Sequence, residues 1–284
     1  MSRAVRGGSV TGRALLRHHE LMHKPEGRPQ VIAHRGSSAT KAEHTLGAYV
    51  TALEEGADAL ECDVRLTADG HLVCVHDRKV DRTMNARGLV STMTLHQLNE
   101  LDAASWKHPW ADLDEDAEVP DRDESRVLTL RRLLETVRDY DRTIDVAIET
   151  KHPTRYAGLV ERRLVETLTE FGWAGPRSPA RVMSFSGVAL TRVQKLAPPL
   201  EVVLLIEGTV SWQVTKGMLT PGWIAGPGVN ELRERPRLGR RLRDKGHRIH
   251  VWTVNTVDDL DLCLDLGVEA VITDRPAHIL ELMS

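Results

Sequence analysis

The chain has no run of eighteen apolar residues, no cysteine framework and no strong excess of charge of either sign. Each absence removes a class of answers. Without a long apolar run there is no transmembrane helix to build. The three cysteines, Cys62, Cys74 and Cys263, cannot all pair and lack the spacing of a zinc knuckle, so a reducing, cytoplasmic setting is expected. A formal net charge of −3 argues against nucleic-acid binding through bulk electrostatics, so any phosphate chemistry has to be local. What is present suits a globular protein: 41% hydrophobic and 28% charged residues allow a sizeable core.

Residues 1–28 carry six basic side chains (Arg3, Arg6, Arg13, Arg17, Lys24, Arg28) but no continuous apolar stretch of the signal-peptide kind. They read as a disordered extension, with Met22 a second candidate start. The domain then spans 29–284. Within it, short β-branched runs alternate with longer amphipathic segments, the pattern of a parallel sheet with crossover helices.

Eight strands are expected: Val31–His34, Ala59–Val64, Ile144–Glu149, Arg181–Phe185, Glu201–Ile206, Trp223–Gly226, Arg248–Thr253 and Ala270–Thr273. Helical patterns cover Leu46–Glu55, Tyr156–Phe171, Val188–Leu196, Glu231–Lys245 and Val257–Leu266. This α/β arrangement predicts a (β/α)8 TIM-type barrel, with a doubly wound open sheet as the alternative. Residues 77–140 interrupt the repeat and read as an insertion after the second strand. Its acidic run, Asp112 through Glu124, reads as a solvated loop.

Chemistry gathers where polar residues break apolar strands. Asp69-Gly70 signals a hairpin, and a two-residue turn there pairs Asp63 with His76 and Val64 with Val75. Leu60, Cys62, Val64 and Leu66 then form a core face with Val73 and Val75. Glu61, Asp63 and Arg65 share the other face with Cys74 and His76, so Cys62 and Cys74 point apart.

On the third strand, alternation puts Glu149 and Lys151 on one face with Asp145 and Ala147. Three carboxylates aimed at one point repel each other unless a cation or proton neutralises them. The first strand ends in His34-Arg35-Gly36: a proton carrier, a planar guanidinium suited to phosphate oxygens, and a flexible backbone position. Two histidines, an arginine, a lysine and a cation fit an anionic diester, one imidazole accepting a proton while the other protonates the leaving alcohol.

From Val31 to Pro276 the chain resembles the glycerophosphodiester phosphodiesterases. The likeness rests on His34-Arg35-Gly36, Glu43 with Thr45, Gly56-Ala57-Asp58, Glu61-Cys62-Asp63-Val64, Thr67 with Asp69-Gly70, and His76-Asp77 with Arg82-Thr83. It continues through Glu149 with Lys151, Ser184-Phe185, Trp252-Thr253-Val254-Asn255, Gly267-Val268 and Thr273-Asp274-Arg275-Pro276. The resemblance implies hydrolysis of a glycerophosphodiester to glycerol 3-phosphate and an alcohol. Glu61, Asp63 and Glu149 would hold Ca2+ or Mg2+, with Glu43 lining the same site. His34 and His76 would be the acid/base pair, Arg35 and Lys151 the phosphate holders, and Trp252 and Phe185 an apolar wall.

One position departs from the pattern. Where the family usually has Pro-Glu-Asn-Thr, this chain has Ala42-Glu43-His44-Thr45. His44 is larger than an amide and can alter the helix start, touch substrate or crowd the metal. Two other readings compete. One is a phospholipase D-like or C-like hydrolase of lysophospholipids, which needs an apolar entrance for which Trp106 and Trp110, flanking Lys107 and His108, are the candidates. The other is a binding module without catalysis, which the presence of both histidines argues against.

Overall fold

Each parallel strand is buried on both faces, which is why its sequence reads as a nearly continuous apolar run. The computed structural model describes residues 27–108, 125–152, 155, 158–208, 217 and 219–284. Its strands are β1 (Gln30–His34), β2 (Ala59–Leu66), β3 (Leu72–Cys74), β4 (Asp145–Thr150), β5 (Ala180–Ser184), β6 (Glu201–Ile206), β7 (Ile224–Pro227), β8 (His250–Val251) and β9 (Ala270–Thr273). All but β3 are parallel, in the order β7-β6-β5-β4-β2-β1-β9-β8. The ends of that row meet: the Ala225 N–H donates to the Arg248 carbonyl at 2.9 Å and the Trp252 N–H to the Pro227 carbonyl at 3.3 Å. The sheet therefore closes into the expected barrel rather than staying open.

The helices are α1 (Leu46–Glu54), α2 (Leu95–Asn99), α3 (Leu130–Arg138), α4 (Leu159–Glu170), α5 (Gly187–Leu196), α6 (Val229–Glu234), α7 (Pro236–Asp244), α8 (Val257–Leu266) and α9 (Pro276–Leu282). Leu60, Cys62 and Val64 of β2 pack outward with Leu133 and Leu134 of α3 and Leu164 of α4, while Ile32, Ala59, Ala147, Met183, Val203 and Ile272 fill the barrel's interior. The single helix expected over Glu231–Lys245 is two. Pro236 has no N–H to continue α6 and instead opens α7 as its first residue.

After β3 the insertion builds a small core of its own from Val73, Val75, Val80, Met84, Val90 and Leu98. The acidic run and Trp110 lie outside the described residues, as do residues 1–26. No helix among the described residues is long and apolar enough to cross a membrane.

The hairpin register is a correction. Val64 pairs with Cys74, Arg65 with Val73 and Leu66 with Leu72, one residue away from the expected pairing. Thr67 donates to the His71 carbonyl at 2.9 Å, so the turn contains Ala68, Asp69 and Gly70, with Gly70 in the left-handed region at φ 87°. One extra turn residue flips every following side chain to the other face. Cys74 therefore joins Cys62 on the core side, both as free buried thiols, and Val73 and Val75 face the insertion.

The strands' N-terminal ends are stoppered by polar residues. Gln30 donates to Asp145 at 2.8 Å and accepts from the fully buried Arg181 at 2.5 Å. Arg248 ties Glu269 and Glu201 together, and His250 Nε2 lies 3.4 Å from Glu269. Burial, with Arg181 and Arg248 nearby, pushes the His250 imidazole down to about 4 against the pull of Glu269. A histidine kept neutral in the fold but free to charge when unfolded contributes stability above pH 6.5 that is lost as pH falls through 4. Urea unfolding should show a loss of about 3 kcal/mol from this residue between those limits, and His250→Gln should remove that part of the pH dependence.

Candidate active site

The loop leaving β1 runs hard against α1. A Cβ on Gly36, at φ 84°, would meet the Ala48 carbonyl carbon and oxygen at 2.6 and 2.7 Å, so only glycine fits. The loop is then tied end to end, the His44 N–H donating to the Arg35 carbonyl at 3.1 Å. Arg35 and His44 both sit in the left-handed region, at φ 59° and 63°, a strain of about 1–3 kcal/mol each. Both side chains spend that strain on the same atom: Arg35 Nε and His44 Nε2 lie 3.0 and 2.9 Å from Asp63 Oδ2.

Asp63 is the centre of a buried acidic trio. The β2–β4 register sets it opposite Glu149, and Glu61 is two residues back on the same face. Among the described residues, these three alone offer grouped ligand atoms, all within 4.8 Å of one another. Lys151 bridges two of them, its ammonium 3.0 Å from Asp63 Oδ1 and 2.9 Å from Glu149 Oε2.

Burial opposes ionisation of Asp63, but Lys151, the His44 hydrogen bond and Arg35 hold its carboxyl well below the usual range. Burial and then the Asp63 charge push Glu61 well above it and Glu149 up to about 8. Bringing all three to the charged form requires more positive charge than these side chains supply. Three hard carboxylate donors with that deficit fit a hard divalent cation.

Glu43 stands outside the trio. Its oxygens accept from Arg35 at 3.1 Å and from Arg82 at 2.6 and 2.8 Å, and those cations hold it at about 2 against burial.

Each sequence-selected histidine is backed by a carboxylate. His34 Nδ1 lies 2.6 Å from Asp274 Oδ1, and Asp274 accepts from Ser38 at 3.0 Å and from the Asn255 amide at 2.6 Å. His76 Nδ1 lies 2.6 Å from Asp77, whose other oxygen accepts from Arg82 at 2.6 Å. The ladder does not deliver His76, since β3 has ended. Instead Arg65 donates twice to the His76 carbonyl, at 2.9 and 2.6 Å, and folds it back over the barrel mouth. Burial, with Arg35 and Lys151 opposing a further positive charge, pushes the His76 imidazole down to about 4.

Both imidazoles line a cavity of about 270 Å³ with Arg35, Glu61, Glu149 and Lys151. Its far wall is apolar, with Phe185 edge-on to Trp252 at 5.6 Å between ring centroids. A second cavity of about 480 Å³ shares His34 and Arg35 with it and reaches Trp106 and Lys107 of the insertion. Trp106 is pinned by its indole N–H to the Ala103 carbonyl and lies beside Arg82 and Lys107. Sequence reasoning gave no role to Asp77, Asp274 or Asn255. The only local signals were the His76-Asp77 adjacency and the polar ends of the seventh and eighth parallel strands.

Residues 34–278 match the model of the glycerophosphoryl diester phosphodiesterase family. The chain belongs to that family. It is 45% identical over 259 residues to a Mycobacterium tuberculosis protein named "probable glycerophosphodiester phosphodiesterase 1", covering 89% of this chain and 91% of that one. It is 32% identical over 260 residues to the glycerophosphodiester phosphodiesterase of Caldanaerobacter subterraneus, covering 89% and 97%. A solved phosphodiesterase of Oleispira antarctica, in complex with the product sn-glycerol-3-phosphate, superposes with a TM-score of 0.75 at 25% identity, over 90% of this chain and 96% of that one. As a member of the glycerophosphoryl diester phosphodiesterases, the protein is a phosphoric diester hydrolase acting on glycerophosphodiesters.

Proposed function

We propose that the enzyme is a metal-dependent hydrolase releasing glycerol 3-phosphate, with His34 and His76 as its acid/base pair. The convergence of two carboxylate-backed imidazoles on one cavity with the acidic trio carries this reading. Glu61, Asp63 and Glu149 would hold Ca2+ or Mg2+, which supplies positive charge beside the phosphoryl oxygens. Arg35 and Lys151 line the same cavity and neutralise the phosphate from the protein side. Glu43 keeps the Arg35 guanidinium aimed inward and, despite the family resemblance, is assigned here to orienting rather than ligating.

With Nδ1 donating to Asp77, the neutral His76 presents a free Nε2 lone pair to accept a proton from the attacking hydroxyl. That hydroxyl is the substrate's own neighbouring glycerol group, whose attack on phosphorus forms a cyclic phosphate as the bond to the alcohol breaks. His34, at the junction of the two cavities, gives its proton to the departing alcohol oxygen. Water then opens the cyclic phosphate with the proton transfers reversed. Phe185 and Trp252 give the glycerol carbons an apolar wall.

The test is product release from glycerophosphocholine, glycerophosphoethanolamine and glycerophosphoglycerol, with and without chelator. Glycerol 3-phosphate should form from at least one of them, stop on chelation and resume with added Mg2+ or Ca2+. Full turnover in chelator would remove the metal from the mechanism, and no turnover of any diester would remove the substrate class.

A further inference from the structure

His44 takes no part in the steps above, yet it is buried against the trio and held at both ring nitrogens. Nε2 lies 2.9 Å from Asp63 Oδ2, and Nδ1 lies 2.8 Å from the hydroxyl of the fully buried Tyr49. That hydroxyl is in turn 3.1 Å from the Glu61 carbonyl oxygen, so the ring is braced against β2 at two points. Arg35 Nε also lies 3.0 Å from Asp63 Oδ2, as an ion-pair contact without the direction of a hydrogen bond, so His44 gives this oxygen its directed partner. Its sister Oδ1 has no well-directed hydrogen bond, only the Lys151 ammonium 3.0 Å away.

We propose that His44 is a positioning residue for the cation: by capping Oδ2 it fixes the rotation of the Asp63 carboxylate and reserves Oδ1 as its ligand oxygen. The inference rests on the proposed cation site and adds a residue to it that does not touch the ion. The backbone explains which residue types suit the position. At φ 63°, histidine and asparagine are among the few side chains tolerated without a large penalty. Asparagine, usual in the family here, has the shorter reach; imidazole spans the gap between Tyr49 and Asp63. Groups that orient a ligating carboxylate are worth roughly 10- to 100-fold in metal affinity.

The test is direct Mn2+ binding, read as loss of the free-ion electron paramagnetic resonance signal, for the full chain and for His44→Ala and His44→Gln, each with its melting temperature. Alanine should weaken Mn2+ binding roughly 10- to 100-fold. Glutamine, whose amide nitrogen can stand where Nε2 stands, should recover most of that loss. If the alanine variant does not fold, His44→Met fills the space without a donor and serves the same comparison. Wild-type protein that binds no Mn2+ would remove the cation site and this inference together. Unchanged binding in the alanine variant would overturn the positioning role alone. So would glutamine binding as weakly as alanine at an unchanged melting temperature.

Discussion

Replacing His34 or His76 with alanine is expected to lower turnover of a glycerophosphodiester by roughly 10² to 10⁴ while leaving the melting temperature close to that of the unmodified protein. The two imidazoles are half-buried at the barrel mouth and neither belongs to the hydrophobic core, so their loss should cost proton transfer rather than packing. Their partners make the same point from the other side. Asp274, held at about 2 against burial by its bonds to His34, Asn255 and Ser38, stays charged across the working range and fixes His34 with Nδ1 turned inward. Steady-state kcat with circular dichroism melts on the same samples checks the expectation. A rate within about threefold of the original in either variant would return that imidazole to an architectural role, since general acid/base transfer contributes far more.

Lys151→Met should destabilise the metal-free protein by about 3 kcal/mol, because removing one partner of a buried ionic cluster leaves the other uncompensated. Lys151 is 8% exposed and is the cation that touches both Asp63 and Glu149. A loss of that size corresponds to roughly 6–12 °C in melting temperature for a domain of this length. The distinguishing feature is its dependence on ions. A divalent cation bound only by the folded state adds stability by mass action and replaces the missing positive charge, so the gap should narrow on adding Mg2+. Melting curves in chelator and in excess Mg2+ decide it. Equal stability of variant and parent in chelator would mean that the trio does not depend on this ammonium.

The parallel strands were legible because burial on both faces leaves a short apolar run that little else in a soluble chain resembles. Glu201–Ile206 and Ala270–Thr273 match their expected limits for that reason. The carboxylates and Lys151 were legible because polar residues at the end of such a run are costly to bury without a purpose. The hairpin was misread because Asp69-Gly70 suits both a two-residue turn and the last part of a three-residue one, and the local sequence does not separate them. His76 lines the same cavity as Glu61 and Glu149 by a different route, through Arg65 rather than through strand pairing. The partners of the catalytic candidates were least legible. His34 and Asp274 are 240 residues apart, and only the pairing of β1 with β9 puts them 2.6 Å from each other.

The polar stopper of Gln30, Asp145, Arg181 and His250 makes the barrel a cul-de-sac. Among the described residues, the two imidazoles and the Phe185–Trp252 pair line the cavity that lies above the acidic trio. A molecule seated in that cavity displaces water from the space beneath it, and each charge below then acts through a medium that screens it far less than water does.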